Sequence, residues 1–395
     1  TQFIASKSYN SFKKSFTTSI IRLSIAATTL GLAVMIVSQS IFNGFQKEIA
    51  KKVFGFWGHI HITDIASNRS IEPITIHLND SLKEAIKNSG NLIHQPDLVR
   101  HIQSFLIYPS IIGGVENNEG VFIKGVGEDF DWSFFKHFLV SGNTIELPDS
   151  GFARSIMIAE ETANRLNTSV GKSIILNFFV NDELIKRKVT VGGIYNTGLA
   201  EYDRKFAIVD INLIRNVLKK EKDEVSGIEV FCDDVLHAVT ANNLLYENVL
   251  PSNWYSETIR DRFPNIFEWL SLQDLNKVFI LSLILAVCII NMSTTLMILI
   301  LERTHMIGVL TVLGMSKWRQ RKIFLYYATR ILLYSLLLGN IIGMGLCYLQ
   351  DHFKLIKLSE SDYYLSYAPV DLQWGPVLLL NFGVFILILI CLILP

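Results

Sequence analysis

Cysteine is scarce in this chain: there are four in 395 residues. Three of them (Cys288, Cys347 and Cys391) fall in long apolar runs. Cys232 stands alone in the long polar region between the first two runs, so no disulfide can form within that region. With more than two hundred residues, the region is long enough to be held by its own core. Net charge is absent too, 36 basic side chains balancing 36 acidic ones. No long basic stripe with interleaved aromatics occurs, which argues against a nucleic-acid partner. There is no Gly-x-x-x-x-Gly-Lys-Ser/Thr phosphate loop, no nucleophile elbow, no internal repeat and no low-complexity tract. The chain is expected to catalyse nothing itself and to bind no cofactor directly.

What is present is apolar length. A helix needs about 20 apolar residues to cross the hydrocarbon core of a bilayer. Residues 278–301 carry no charge, 323–349 are broken only by Arg330, and 20–42 and 376–395 complete a set of four runs. Four such runs, with a mean hydropathy of +0.35, argue against a soluble protein with buried helices. The run at 20–42 is too long for a cleaved signal peptide and lacks a small-residue cleavage site.

Charge asymmetry orients the spans. Residues 1–30 carry Lys7, Lys13, Lys14 and Arg22 and no acid. Residues 302–322 carry Arg303, Lys317, Arg319, Arg321 and Lys322 against Glu302 alone, whereas 351–371 hold four acids against Lys354 and Lys357. Positive flanks stay inside, which places the N-terminus and 302–322 in the cytoplasm and 43–277 and 351–371 outside. Phe3, Ile4, Phe12 and Phe16, set among the N-terminal lysines, predict an amphipathic helix on the inner surface.

The external region reads as mixed α and β. Alternation at 58–63 predicts a strand, and Asn79 is a cap for a helix over 79–89 with Leu82, Ala85 and Ile86 on one helical face. Strands are predicted at 121–126, 155–159, 174–180, 184–194, 206–209 and 227–232, with Asn181-Asp182-Glu183 as a tight hairpin connection. Helices are predicted at 160–166, 212–219 and 235–248, and an element over 266–277 runs into the second span. The fold class is thus an α-helical membrane protein with four transmembrane helices and a large α/β domain between the first and second. Its predicted parts are a cytoplasmic segment at 1–19, spans at 20–43, 273–301, 323–350 and 375–395, the external domain at 44–272, the segment 302–322 and an external loop at 351–374. Within the domain, a membrane-proximal part (44–100 and 205–272) flanks a β-rich insertion at about 100–205.

Candidate sites are few. His59 and His61 share one face of a strand, but no third ligand with metal-like spacing lies near; they are read as solvent-facing. Glu160-Glu161 and Asp233-Asp234 diverge too much to act as acid and base. In the spans, Gly339-x-x-x-Gly343, with Gly345 beside it, permits close helix approach. Asn291, Ser293, Thr294 and Thr295 form a polar patch that neighbouring helices must satisfy. Arg330 is expected to reach the interface. The most informative stretch is 302–315, with Glu302, Arg303, Ile307, Gly308, Leu310, Leu313, Gly314 and Met315. It is too polar for lipid, positively flanked and short, so it can receive force from a soluble partner.

One span, a large external domain and three closely spaced spans resemble the layout of the FtsX-like ABC transporter permeases, which include MacB-type exporters and the Lol-type lipoprotein-releasing permeases. Asn43-Gly44-Phe45-Gln46-Lys47-Glu48, Val53-Phe54-Gly55-Phe56, Asn291-Met292-Ser293-Thr294, Ile307-Gly308-Val309-Leu310 through Leu313-Gly314-Met315, and Asp362-Tyr363-Tyr364-Leu365 with Pro369-Val370 are similar to the lipoprotein-releasing branch. The resemblance implies a permease subunit in a bacterial inner membrane that transmits motion from a separate cytoplasmic ABC ATPase, the chain that would bind ATP. It further implies a second permease subunit, identical or not, and a lipoprotein released from the membrane for outer-membrane sorting. A MacB-like exporter of peptides or drugs and an FtsX-type transmitter activating a periplasmic enzyme are the alternatives. Met306 replaces the acid common before the Ile-Gly pair and Thr311 a frequent basic residue. The hairpin at Asn181-Asp182-Glu183 is shorter than the loop by which one type of lipoprotein-releasing subunit recruits a chaperone. Both chain ends are expected to be trimmed.

Overall fold

The computed structural model describes residues 16–67, 74–113, 117–234, 237–359 and 363–393. Most of the predicted N-terminal amphipathic segment (residues 1–15) and Asp362 lie outside them. In chain order, the first elements are α1 (Phe16–Trp57), β1 (Ile60–Asp64), β2 (Ile76–His77), α2 (Asp80–Lys87), β3 (Val99–Gly113) and β4 (Asn118–Val126). Next come α3 (Ser133–His137), β5 (Leu139–Gly142), β6 (Ser155–Ala159), α4 (Glu160–Arg165), β7 (Ser173–Val180) and β8 (Glu183–Tyr195). They are followed by α5 (Ala200–Asp203), β9 (Phe206–Asp210), α6 (Ile211–Leu218), β10 (Glu224–Val225), β11 (Gly227–Cys232), α7 (Ala238–Asn248) and β12 (Trp254–Thr258). The chain closes with α8 (Ile259–Arg262), α9 (Pro264–Glu302), α10 (Thr304–Val312), α11 (Lys317–Phe353) and α12 (Trp374–Ile393). Two compact units result: Thr1–Glu48 with Glu268–Leu358 and Tyr367–Pro395, and Ile49–Phe267 with Ser359–Ser366.

In the first unit, four helices among the described residues are long and apolar enough to cross a membrane: α1 from Ser19, α9, α11, and α12 to Cys391. The helix α1 continues well past residue 43, because nothing before Gly58 breaks it; Gly58 sits at φ +73°, where glycine is unstrained. The helix α9 starts on Pro264, whose fixed φ and missing N–H suit a first helical turn.

Small and polar residues set the contacts among these helices. A Cβ at Gly339 would come within 2.9 Å of Leu32 Cβ and 3.1 Å of Thr29 O, and one at Gly343 within 3.2 Å of Ala33 Cα and O. Both glycines therefore let α11 lie backbone-close to α1, where lipid supplies no hydrophobic drive and packing must hold the pair. Gly345 is different: a Cβ there meets nothing within 4 Å, so it has no part in this contact. Asn291 donates from α9 to Thr28 Oγ1 (3.2 Å) and Ser24 O (3.3 Å) on α1. Thr294 and Thr295 donate to the carbonyls of Ile290 and Asn291 on their own helix. Asn340 and Asn381 exchange amide hydrogen bonds of 2.7 and 2.9 Å between α11 and α12. The Arg330 guanidinium lies over the Tyr334 ring one turn on.

The second unit is built on a mixed sheet in the order β12-β1-β11-β3-β4-β9-β6-β8-β5, with β7 pairing β3 and β8. The predicted insertion at about 100–205 is woven into it: β9, from beyond that stretch, lies between β4 and β6. The 15-residue β3 joins the halves, pairing β4 from Phe105 to Gly113, β11 up to Phe105 and β7 from Ile111. Pro109, with no N–H to give, sits between the β11 and β7 partners, where a donor is dispensable. Asn79 caps α2 by accepting from Leu82 N at 2.8 Å, and Asn181 and Asp182 take φ of +49° and +63°, as a two-residue hairpin of the primed kind requires.

His59 and His61 do not face solvent. His61 is 2% exposed and stacks on Phe105 with centroids 4.8 Å apart, because the sheet face they share is covered. His59 stacks on Phe54 at 4.6 Å, and its Nδ1 accepts from Cys232 N at 3.2 Å. No group of three or more His, Cys, Asp or Glu able to hold a metal occurs among the described residues. Burial disfavours the imidazolium, lowering the His59 pKa from 6.5 to about 4 and that of His61 well below 6.5.

Both folded values lie below the unfolded one. Between pH 6.5 and 4 the unfolded chain therefore takes up protons that the folded unit refuses, and stability falls with pH. Asp203 acts the other way: burial pushes it up to about 6, so its folded form gains the proton first. His77, raised by its hydrogen bond to Asp223, also adds stability as pH falls, so the loss from about pH 7 to about pH 5 is carried by the two buried imidazoles against these two opposing groups. Denaturant midpoints read by tryptophan emission at the two pH values test this, with His61→Phe expected to flatten the dependence. An unchanged pH slope in His61→Phe would rule out the assignment.

Candidate coupling segment

The segment between α9 and α11 is ordered by local rules. Arg303 leaves helical geometry at φ −109°, ψ 19° and separates α9 from α10. At the other end Gly314 takes φ +84°. Met315 N then bonds to Leu310 O and Gly314 N to Thr311 O, each at 3.0 Å. This is the paired 6→1 and 5→2 closure of a Schellman motif, whose left-handed position favours glycine. Leu310 and Met315, the hydrophobic pair that accompanies such a cap, both pack on the bundle core. Gln320 of α11, buried, donates from its amide to Thr311 Oγ1 (3.0 Å) and Met315 O (3.1 Å). It ties the end of α10 to the start of α11.

This closure fixes the faces of α10. Met306, Ile307 and Leu310 pack inward. Gly308 has open space where a Cβ would stand, Val309 is 48% exposed, Val312 89% and Leu313 76%. Glu302 and His305 are exposed and Arg303 half-buried. Of the predicted residues, then, Gly308, Leu313 and Gly314 face outward while Ile307, Leu310 and Met315 hold the helix in place. Val309, Val312 and Gln320 belong to the same construction, and the sequence did not single them out. The i, i+4 spacing of Gly308 and Val312 was the available signal. The structure thus leaves an apolar helix face uncovered beside exposed Lys317 and Arg319, the kind of patch that marks an interaction surface.

Four apolar helices, a sheet-based domain and an outward-facing helix between two spans define a multi-pass membrane protein. The family follows from the sequence comparisons. The MacB-like periplasmic core domain model matches residues 23–243, more than half of the chain, and the FtsX-like permease C-terminal model matches 278–395. The chain belongs to the FtsX-like permeases that carry a MacB-like periplasmic core. It is similar to the lipoprotein-releasing system transmembrane protein LolC of Neisseria meningitidis serogroup B, 26% identical over 93% of this chain and 88% of that protein. The corresponding LolE of Haemophilus influenzae is 22% identical over 91% of this chain and 87% of its own length. Among solved structures, the periplasmic region of MacB from Actinobacillus actinomycetemcomitans aligns with 53% of this chain and 92% of that one, at a TM-score of 0.35 and 14% identity.

Proposed function

We propose that this chain is the permease subunit of an ABC transporter of the lipoprotein-releasing type, lying in a bacterial inner membrane with its N-terminus and residues 302–322 in the cytoplasm. A separate ATPase would seat α10 in a surface groove, and a second permease subunit would complete the assembly. The observation that carries this reading is the outward face of α10 formed by Gly308, Val309, Val312 and Leu313. It is held rigidly by a Schellman closure and by Gln320, as a part that receives force must be. The lipoprotein assignment is supported by likeness to the LolC and LolE proteins along most of their length and rests on that likeness. A cytoplasmic face for α10 agrees with the basic excess of 302–322.

The test is purification of the full-length chain in mild detergent and mass spectrometry of what stays bound. An ABC ATPase together with acylated lipoproteins is the expected result. An ATPase with a periplasmic adaptor and no lipoprotein would replace the reading with a MacB-like exporter, and no ATPase at all would overturn it.

A further inference from the structure

Where α9 ends and α11 begins, a cavity of about 490 Å³ opens beside α10. That volume lies within the roughly 300–1,000 Å³ of small-molecule sites. Its depth is apolar: Leu296 and Phe324 line it at 4% and 7% exposure, with Ile300 and Leu325 beside them. Its rim is cationic, with Lys317, Arg321 and Lys322 all exposed. No acidic side chain lines it among the described residues. Trp318 closes one side, with the Lys322 ammonium 5.9 Å from its ring centroid.

Position along the helices sharpens the chemistry. Leu296 and Ile300 are in the last turns of the uncharged run before Glu302, and Phe324 and Leu325 in the first turns after Lys322. The cavity therefore straddles the level at which apolar surface gives way to charge on both helices. A ligand filling it must carry an apolar tail toward Leu296 and negative charge toward Arg321 and Lys322. We infer that this cavity binds an anionic phospholipid, its acyl chain against Leu296, Ile300 and Phe324 and its phosphate and acidic headgroup at the three cations. Clustered basic side chains at a membrane surface favour acidic lipid, and a tryptophan at that level is a common interfacial anchor. The bound lipid touches Ile307 and Thr311 of α10, so it braces the helix from the side opposite its exposed face.

The inference needs the helices to be membrane spans and needs neither the ATPase nor the cargo, so it is tested on the purified chain alone. Dioleoyl phosphatidylglycerol or dioleoyl phosphatidylcholine is titrated into the full-length protein in mild detergent, and retained lipid is counted by native mass spectrometry. One phosphatidylglycerol per chain is expected, with a preference over phosphatidylcholine on the order of 10-fold or more. Arg321→Glu with Lys322→Glu should abolish that preference, and Ile300→Trp, which fills the apolar end and leaves the rim intact, should abolish retention. Should the charge reversals fail to fold, Arg321→Gln with Lys322→Gln serves in their place. Equal retention of the two lipids, retention unchanged by the rim variants, or displacement of the lipid by an equal concentration of sn-glycerol 3-phosphate would each overturn it.

Discussion

Gly308→Glu and Leu313→Asp are each expected to abolish stimulated ATP hydrolysis by the assembled transporter while leaving the membrane abundance of this chain unchanged. A Cβ at Gly308 meets nothing within 4 Å, and a non-glycine residue inside a helix costs less conformational entropy than glycine does. The fold therefore tolerates the change, and only a partner would meet the new charge. Leu313, 76% exposed, is equally free to change. A carboxylate at the centre of a docked apolar face is desolvated without a partner, which at an interface hot spot costs about 2 kcal/mol or more, or roughly 30-fold in affinity. Leu310→Asp is the contrasting variant. Leu310 packs on the bundle core with Met315, so its change is expected to lower abundance along with activity. Steady-state ATPase assays in proteoliposomes, with abundance read by immunoblot, separate the two outcomes. Normal stimulated activity in both outward-face variants would reduce α10 to a connector between spans.

Why those two faces differ was not legible in the sequence. From Met306 to Leu313 almost every position of α10 is apolar, so helical periodicity cannot choose an inward stripe. The choice is made by the Gly314 turn and by Gln320, which lies beyond the turn in sequence and bonds back across it. The four long apolar helices were legible because a run of about 20 apolar residues suits little besides a span across lipid. Local signals also carried Asn79 as a cap and Asn181-Asp182 as a turn, since each acts through its own backbone. The strand β3 was hidden by Pro109, which argues against a strand until the gap between its two partners on one side is seen. His59 and His61 were misplaced for a related reason. Alternation shows that two side chains share a face, but which face is covered depends on how Phe54 and Trp57 at the end of α1 fold back and on Phe105 from β3.

Lys124→Met is expected to destabilise the sheet domain by about 3–5 kcal/mol, and Glu229→Met by a similar amount. In the sequence Lys124 is one polar letter in the run Val121-Phe122-Ile123-Lys124-Gly125-Val126, with nothing to mark it. In the fold it is fully buried, its Nζ 2.6 Å from Glu229 Oε1 and donating to Phe56 O at 3.1 Å. Gln103 donates to the other carboxylate oxygen at 2.7 Å. The rings of Trp57, Phe56, Phe105 and Phe130 stand 4.9 to 5.7 Å from the ammonium. Burial pulls the Lys124 pKa down, and the nearby Glu229 carboxylate opposes that shift. Phe56 lies in the last turn of α1, where carbonyls lack helical donors. The pair thus fastens that turn to β4 and β11. Removing the lysine strands a buried carboxylate and an unsatisfied carbonyl together, the two most costly ways to leave a core polar group. Replacing both partners with methionine removes the stranded charge, so Lys124→Met/Glu229→Met should cost less than either single change. Denaturant unfolding of the full chain, followed through tryptophan emission, to which Trp57 beside the ammonium contributes, measures all three. If the double variant loses as much as the two singles combined, the pair is not coupled and the α1 terminus is held by packing alone.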